Sequence, residues 1–76
     1  MSSDDILLPR ASDHTSEAQL TSWRSANNSL VRKGEIIATF ETKEISLEME
    51  AHQTGTLIHR ADEMDLVPNG RRIASI

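Results

Sequence analysis

Two stretches of this chain repeat each other at a fixed offset of 36 residues, and that repeat limits the folds open to it. Leu30-Val31-Arg32-Lys33-Gly34-Glu35-Ile36-Ile37-Ala38-Thr39-Phe40 aligns with Leu66-Val67-Pro68-Asn69-Gly70-Arg71-Arg72-Ile73-Ala74-Ser75-Ile76. The shared pattern is Leu-Val-x-x-Gly-x-x-Ile-Ala-(Ser/Thr)-apolar. Each copy reads as a short extended segment, a turn whose glycine tolerates positive φ, and a strand rich in β-branched residues. Two copies are too few to stack into a solenoid. They suit a domain with a pseudo-two-fold axis, each half supplying half of a sandwich.

The strongest periodicity lies between Ile36 and Ala51. Ile36, Ala38 and Phe40 alternate with Ile37, Thr39 and Glu41; Ile45, Leu47, Met49 and Ala51 alternate with Ser46, Glu48 and Glu50. A two-residue period predicts half-buried strands. Thr42-Lys43-Glu44 between them is turn-length, so a β-hairpin with Lys43 and Glu44 near its tip is expected. Further strands are expected at Asp5 to Leu8, Ala18 to Arg24, Gly55 to Ala61 and Arg72 to Ile76. Loops fall at Ala11 to Glu17, Ala26 to Ser29, His52 to Thr54 and Asp62 to Asp65. Helical propensity exists around Ser16 to Arg24, but the apolar residues there miss helical spacing. The fold class read from this pattern is all-β, a sandwich or flattened barrel.

Composition excludes several functions. With 76 residues there is room for one domain, expected over 6–76 after a short tail at 1–5. The absence of cysteine removes disulfides, thiolate metal sites and a cysteine nucleophile, and favours a reducing, cytoplasmic setting. No apolar run is long enough to span a membrane, and Met1-Ser2-Ser3-Asp4-Asp5 is unlike a signal peptide. A net charge of −4, with one Trp, one Phe and no Tyr, argues against nucleic acid. His14, His52 and His59 show no spacing that places two on one face with a carboxylate, so no metal site is expected. No nucleophile elbow or phosphate loop is present. Trp23 reads as packing, and Arg71-Arg72 as a solvated pair.

The ordered set Leu8-Pro9, Trp23, Val31-x-x-Gly34, Glu41-Thr42, Glu48-Met49-Glu50-Ala51, Gly55 and Val67-Pro68-x-Gly70, closed by an apolar strand, resembles the lipoyl domains of 2-oxo acid dehydrogenase acyltransferases, within the lipoyl/biotinyl carrier family. The match runs without a gap from about Ile6 to Ile76. The resemblance implies two four-stranded antiparallel sheets related by a quasi-two-fold axis, the symmetry that the offset repeat reflects. It also implies a lysine at an exposed hairpin tip that receives lipoate or biotin. The ungapped equivalent of that lysine is Glu44, and the family's preceding Asp is Lys43, so acid and amine have traded places. Loop glycines of the family appear as Ser12, Ala18, Asn28 and Met64; Asn28 accommodates a left-handed backbone, whereas Met64 is expected to require a changed turn.

Slipping the hairpin by one residue to bring Lys43 to the family position would turn Ile45, Leu47 and Met49 to water. That costs roughly 1.5–3 kcal/mol for each fully buried side chain. Lys43 therefore stays one place early. Between Gly34 and Ile58 it is the only Lys or Arg, among five carboxylates: Glu35, Glu41, Glu44, Glu48 and Glu50. Two readings stay open. In one, Lys43 carries lipoate, with Glu41, Thr42 and Glu44 as the surface that a lipoate ligase or lipoyl transferase reads. Biotin is the weaker candidate, because its lysine is usually flanked by methionines rather than Thr42 and Glu44. In the other, Lys43 is a solvated lysine offsetting its acidic neighbours, and the domain is an unmodified docking module. Either way the resemblance implies a monomeric, non-catalytic domain working with 2-oxo acid dehydrogenase or acyltransferase-type enzymes.

Overall fold

The computed structural model describes residues 5–9 and 16–76. The expectations for the tail before Asp5, for Ser12 and His14, and for most of the loop from Ala11 to Glu17 lie outside the described residues. Within them all regular structure is strand: β1 (Asp5–Leu7), β2 (Glu17–Trp23), β3 (Leu30–Val31), β4 (Ile36–Glu41), β5 (Ser46–Glu50), β6 (Gly55–Thr56), β7 (Ile58–His59), β8 (Leu66–Pro68) and β9 (Arg72–Ser75).

One sheet has the order β5-β4-β2-β8. The facing layer is β1-β9-β7, continued by the pair β3-β6. Every pairing is antiparallel. The strand expected from Gly55 to Ala61 is split at Leu57, so the second layer reaches four strands only by counting β6 and β7 as one interrupted run. The cause is local: the Leu57 N–H donates to the Ser29 carbonyl and its own carbonyl accepts the Asn28 N–H, so both of its main-chain groups turn to a loop.

The two-fold relation reaches well beyond the sequence repeat. Trp23↔Ala38 and Ser22↔Thr39 in the first sheet match His59↔Ala74 and Ile58↔Ser75 in the second, each residue shifted by 36. Ala38↔Met49 and Thr39↔Glu48 match Ala74↔Ile6 and Ser75↔Asp5, with β5 answered by β1 at the other end of the chain. A bulge interrupts each pairing at the same place, skipping Ile37 in one half and Ile73 in the other. A bulge adds one residue and breaks the two-residue alternation. This is why Ile37, expected opposite to Ala38, is fully buried beside it. The exposed main-chain groups at both bulges are used alike, with Arg24 N–H on the Ile37 carbonyl and Arg60 N–H on the Ile73 carbonyl.

Between the layers lie Phe40, Leu20, Ile37, Leu57 and Ile73, all without solvent exposure. Leu47 and Met49 of the edge strand β5 pack partly against this core. Ile45 does not follow them: it stands 40% exposed, beyond the end of β5.

On the axis itself Trp23 and His59 stack, ring centroids 3.7 Å apart and planes within 7°. Trp23 Nε1–H donates to the Ala61 carbonyl, and His59 Nε2 meets the Ser25 carbonyl at 2.9 Å. A carbonyl only accepts, so Nε2 carries the proton. The main-chain N–H of Trp23 donates to the Glu63 carboxylate and that of His59 to Asn27 Oδ1, again 36 positions apart. His59, half-buried on β7, is thus part of the packed frame, and Trp23 packs as expected.

Left-handed turns obey the same relation: Gly34 (φ 89°) with Gly70 (φ 84°), and Asn28 (φ 68°) with Met64 (φ 74°). Met64 was expected to force a different turn. It instead takes the same backbone, because the Met64 N–H still donates to the Leu20 carbonyl and Asp65 N–H to that of Asp62, as Ser29 N–H does to Ala26. A non-glycine residue there costs about 1–2 kcal/mol, and the Met64 side chain, 64% exposed, recovers little by packing. Met64→Gly is therefore expected to stabilise the domain by about 1 kcal/mol, raising the thermal midpoint by roughly 4–8 °C. A calorimetric scan showing no rise would mean that Met64 makes compensating contacts.

Candidate functional site

The β4–β5 hairpin ends in a tightly fixed tip. The ladder runs Thr39↔Glu48, Phe40↔Leu47, Glu41↔Ser46, and the Thr42 N–H then donates to the Ile45 carbonyl at 2.9 Å. Lys43 and Glu44 are left as the two central residues of the turn, both exposed. The Thr42 hydroxyl oxygen accepts the Glu44 and Ile45 N–H groups, each at 3.1 Å, and lies 3.3 Å from the Ile45 carbonyl, to which its O–H donates. Threonine at the start of a turn can cap main-chain donors in this way.

Among the described residues, the Lys43 amine has no hydrogen bond or ion pair. It extends from a fixed backbone into solvent. The chain's other lysine, Lys33, sits in the turn that precedes β4, whereas Lys43 follows it. A six-residue strand puts these turns roughly 20 Å apart. Lys33 also has its main-chain N–H on Thr54 Oγ1.

Beside the tip an open groove of about 550 Å³ is lined by Glu17, Gln19, Glu41, Thr42, Lys43, Glu44 and Leu66, among others. Three of the residues named for this region, Glu41, Thr42 and Glu44, meet Lys43 there. Glu17, Gln19 and Leu66 were not anticipated. They arrive through the pairings Gln19↔Glu41 and Gln19↔Leu66, which run across three strands. Leu66 is 60% exposed and gives the groove its apolar wall. Further along the same two strands Thr21, Ser22 and Thr39 join their hydroxyls at 2.8–2.9 Å, tying β2 to β4 where β2 bulges at Thr21.

No group of three or more His, Asp or Glu side chains that could hold a metal ion occurs among the described residues. The groove offers exposed acid side chains, one amine and the exposed apolar side chain of Leu66. Such a surface can present an amine or an attached group to another protein.

No protein-family profile matches the chain. It is similar to the dihydrolipoyllysine-residue acetyltransferase component of the acetoin cleaving system of Bacillus subtilis (strain 168), with 31% identity over 72 residues. The similarity covers 93% of this chain and 18% of that protein.

Proposed function

We propose that this chain is a lipoyl-type carrier domain, holding a lipoyl group in amide linkage on Lys43. The observation that carries this reading is the Lys43 amine, without a partner among the described residues, on an exposed, hydrogen-bonded hairpin tip of a two-fold β-sandwich. The similarity to a protein named for its lipoyl-lysine supports it. A bound lipoyl group would supply the dithiolane that carries acyl groups and reducing equivalents. The chain's own residues do simpler work. Lys43 anchors the group, Thr42 holds the turn, and Glu41 and Glu44 supply the charge that partners meet. The domain itself is non-catalytic in this reading. Its partners are a lipoate ligase or lipoyl transferase, and 2-oxo acid dehydrogenase or acyltransferase-type enzymes that exchange cargo with it.

A second reading is favoured by one feature. Lys43 is the first central residue of the tip and Glu44 the second, so a partner that reads only the second finds a carboxylate. The domain would then serve as an unmodified docking module.

Intact mass separates the two. After incubation with a lipoate ligase, lipoate and ATP, the wild-type chain should gain the mass of one lipoyl group. Lys33→Ala should gain it as well, and Lys43→Ala should gain nothing. An unchanged wild-type mass would remove the carrier reading and leave docking.

A further inference from the structure

The ladder of the hairpin ends at Glu41↔Ser46, so its loop is the four residues Thr42 to Ile45. Loops of that length are most often built around a type I turn, whose central residues have negative φ. Among the described non-glycine residues positive φ occurs only at Asn28 and Met64, so Lys43 and Glu44 fit that pattern. Closure of the turn falls to a side chain: the Ile45 N–H goes to the Thr42 hydroxyl at 3.1 Å. The same oxygen takes the Glu44 N–H, so one hydroxyl holds two main-chain donors of the tip. In the 32–35 turn, by contrast, the Glu35 N–H closes on the Arg32 carbonyl at 2.9 Å.

From this geometry we propose that Thr42 is a positioning residue for the Lys43 amine: its hydroxyl fixes the tip backbone and thereby the direction in which Lys43 leaves it. The proposal rests on the reading of Lys43 as the attachment site and adds how the lysine is aimed. It assigns the hydroxyl to the turn and not to the ligase, since its contacts are already made within the tip. An acyl-transfer enzyme gains its rate from alignment of amine and acyl carbon, so a mobile tip lowers the rate of the aligned step more than the strength of binding.

The chain is ligated with lipoate by a lipoate ligase and ATP, and intact mass is followed over time for wild type, Thr42→Ala, Thr42→Ser and Thr42→Asn. Thr42→Ala should lower kcat roughly ten- to a hundredfold, with KM changed by less than about twofold. Ser and Asn should recover most of the loss, because a side-chain oxygen at that position can accept the same two N–H groups. Acetylation of Lys43 by a small activated ester, which needs exposure but no alignment, should stay equal in all four. Equal ligation in all four, or a raised KM with unchanged kcat and no recovery by Asn, would overturn the proposal. So would a parallel fall in ester acetylation, which would show that the amine itself had become less accessible. A wild-type chain that is never ligated fails earlier and removes the attachment reading, whereas a ligated wild type indifferent to residue 42 removes this inference alone.

Discussion

Truncating Phe40 to alanine is expected to destabilise the domain by about 3–5 kcal/mol, the usual cost of removing a fully buried aromatic side chain and leaving its cavity. Phe40 has no solvent exposure and is the only phenylalanine in the chain. It lies on β4, an interior strand of its sheet, opposite Leu20 on one side and Leu47 on the other. Its two-fold equivalent is Ile76, so the first half contributes the larger side chain to this layer of the core. A 76-residue domain has a total stability of roughly 4–11 kcal/mol. The substitution would therefore consume between about a quarter and all of it, and the urea midpoint should fall towards zero. Leu30→Ala, at a site 72% exposed, is the control and should shift stability by no more than about 0.5 kcal/mol. A Phe40→Ala cost below about 1 kcal/mol would mean that the two layers do not close over this ring.

How far the fold could be read from residues depended on whether symmetry was kept in side chains or only in backbone roles. Leu-Val, Gly and Ile-Ala recur in both halves, and they expose the repeat and the all-β class. Elsewhere, Arg24 and Arg60 apart, the halves rarely share a residue type. Trp23 answers to His59, Asn27 to Glu63 and Asn28 to Met64, yet each pair makes matching hydrogen bonds or the same backbone angle. The aromatic stack on the axis could not be inferred, because tryptophan and histidine look unrelated until the pairings place them together. The bulges were hidden for another reason. Ile36-Ile37-Ala38 is apolar throughout, and a run of that kind does not show where alternation fails. Met64 shows the opposite limit: main-chain bonding held a conformation that propensity disfavours.

At the candidate site the legible part was local. Alternation on both sides of Thr42 marks a bend, and a lone lysine among carboxylates is visible without a structure. The groove was not legible, because Glu17, Gln19 and Leu66 reach it through pairings far apart in sequence, set by a bulge at Thr21 that no residue pattern announces. The part played by Thr42 lay between these cases. Its residue type announces a turn, but only the structure shows its hydroxyl taking both the Glu44 and the Ile45 N–H.

Exchanging the two tip residues, Lys43→Glu with Glu44→Lys, should raise the rate of lipoate ligation by roughly tenfold or more, the scale on which misplacement of a reacting group acts. The exchange leaves composition, net charge and hydrogen-bonding side chains of the turn as they were, since among the described residues neither the Lys43 amine nor the Glu44 carboxylate has a partner to lose. The main-chain N–H of residue 44 still reaches the Thr42 hydroxyl. What changes is the origin of the amine, moved from the first central residue of the turn to the second, whose Cα–Cβ bond points elsewhere. If Lys43 is already well placed, the double variant should be ligated no faster than wild type, and the exchange of acid and amine has no bearing on the acceptor. If the wild type is ligated slowly or not at all while the double variant is ligated readily, position alone limits attachment in an otherwise competent domain. Thermal midpoints of the two proteins should agree within a few degrees, because exposed tip residues contribute within about 0.5 kcal/mol. A large loss of stability would instead show that Lys43 or Glu44 supports the hairpin, and the rate comparison would then report folding rather than placement.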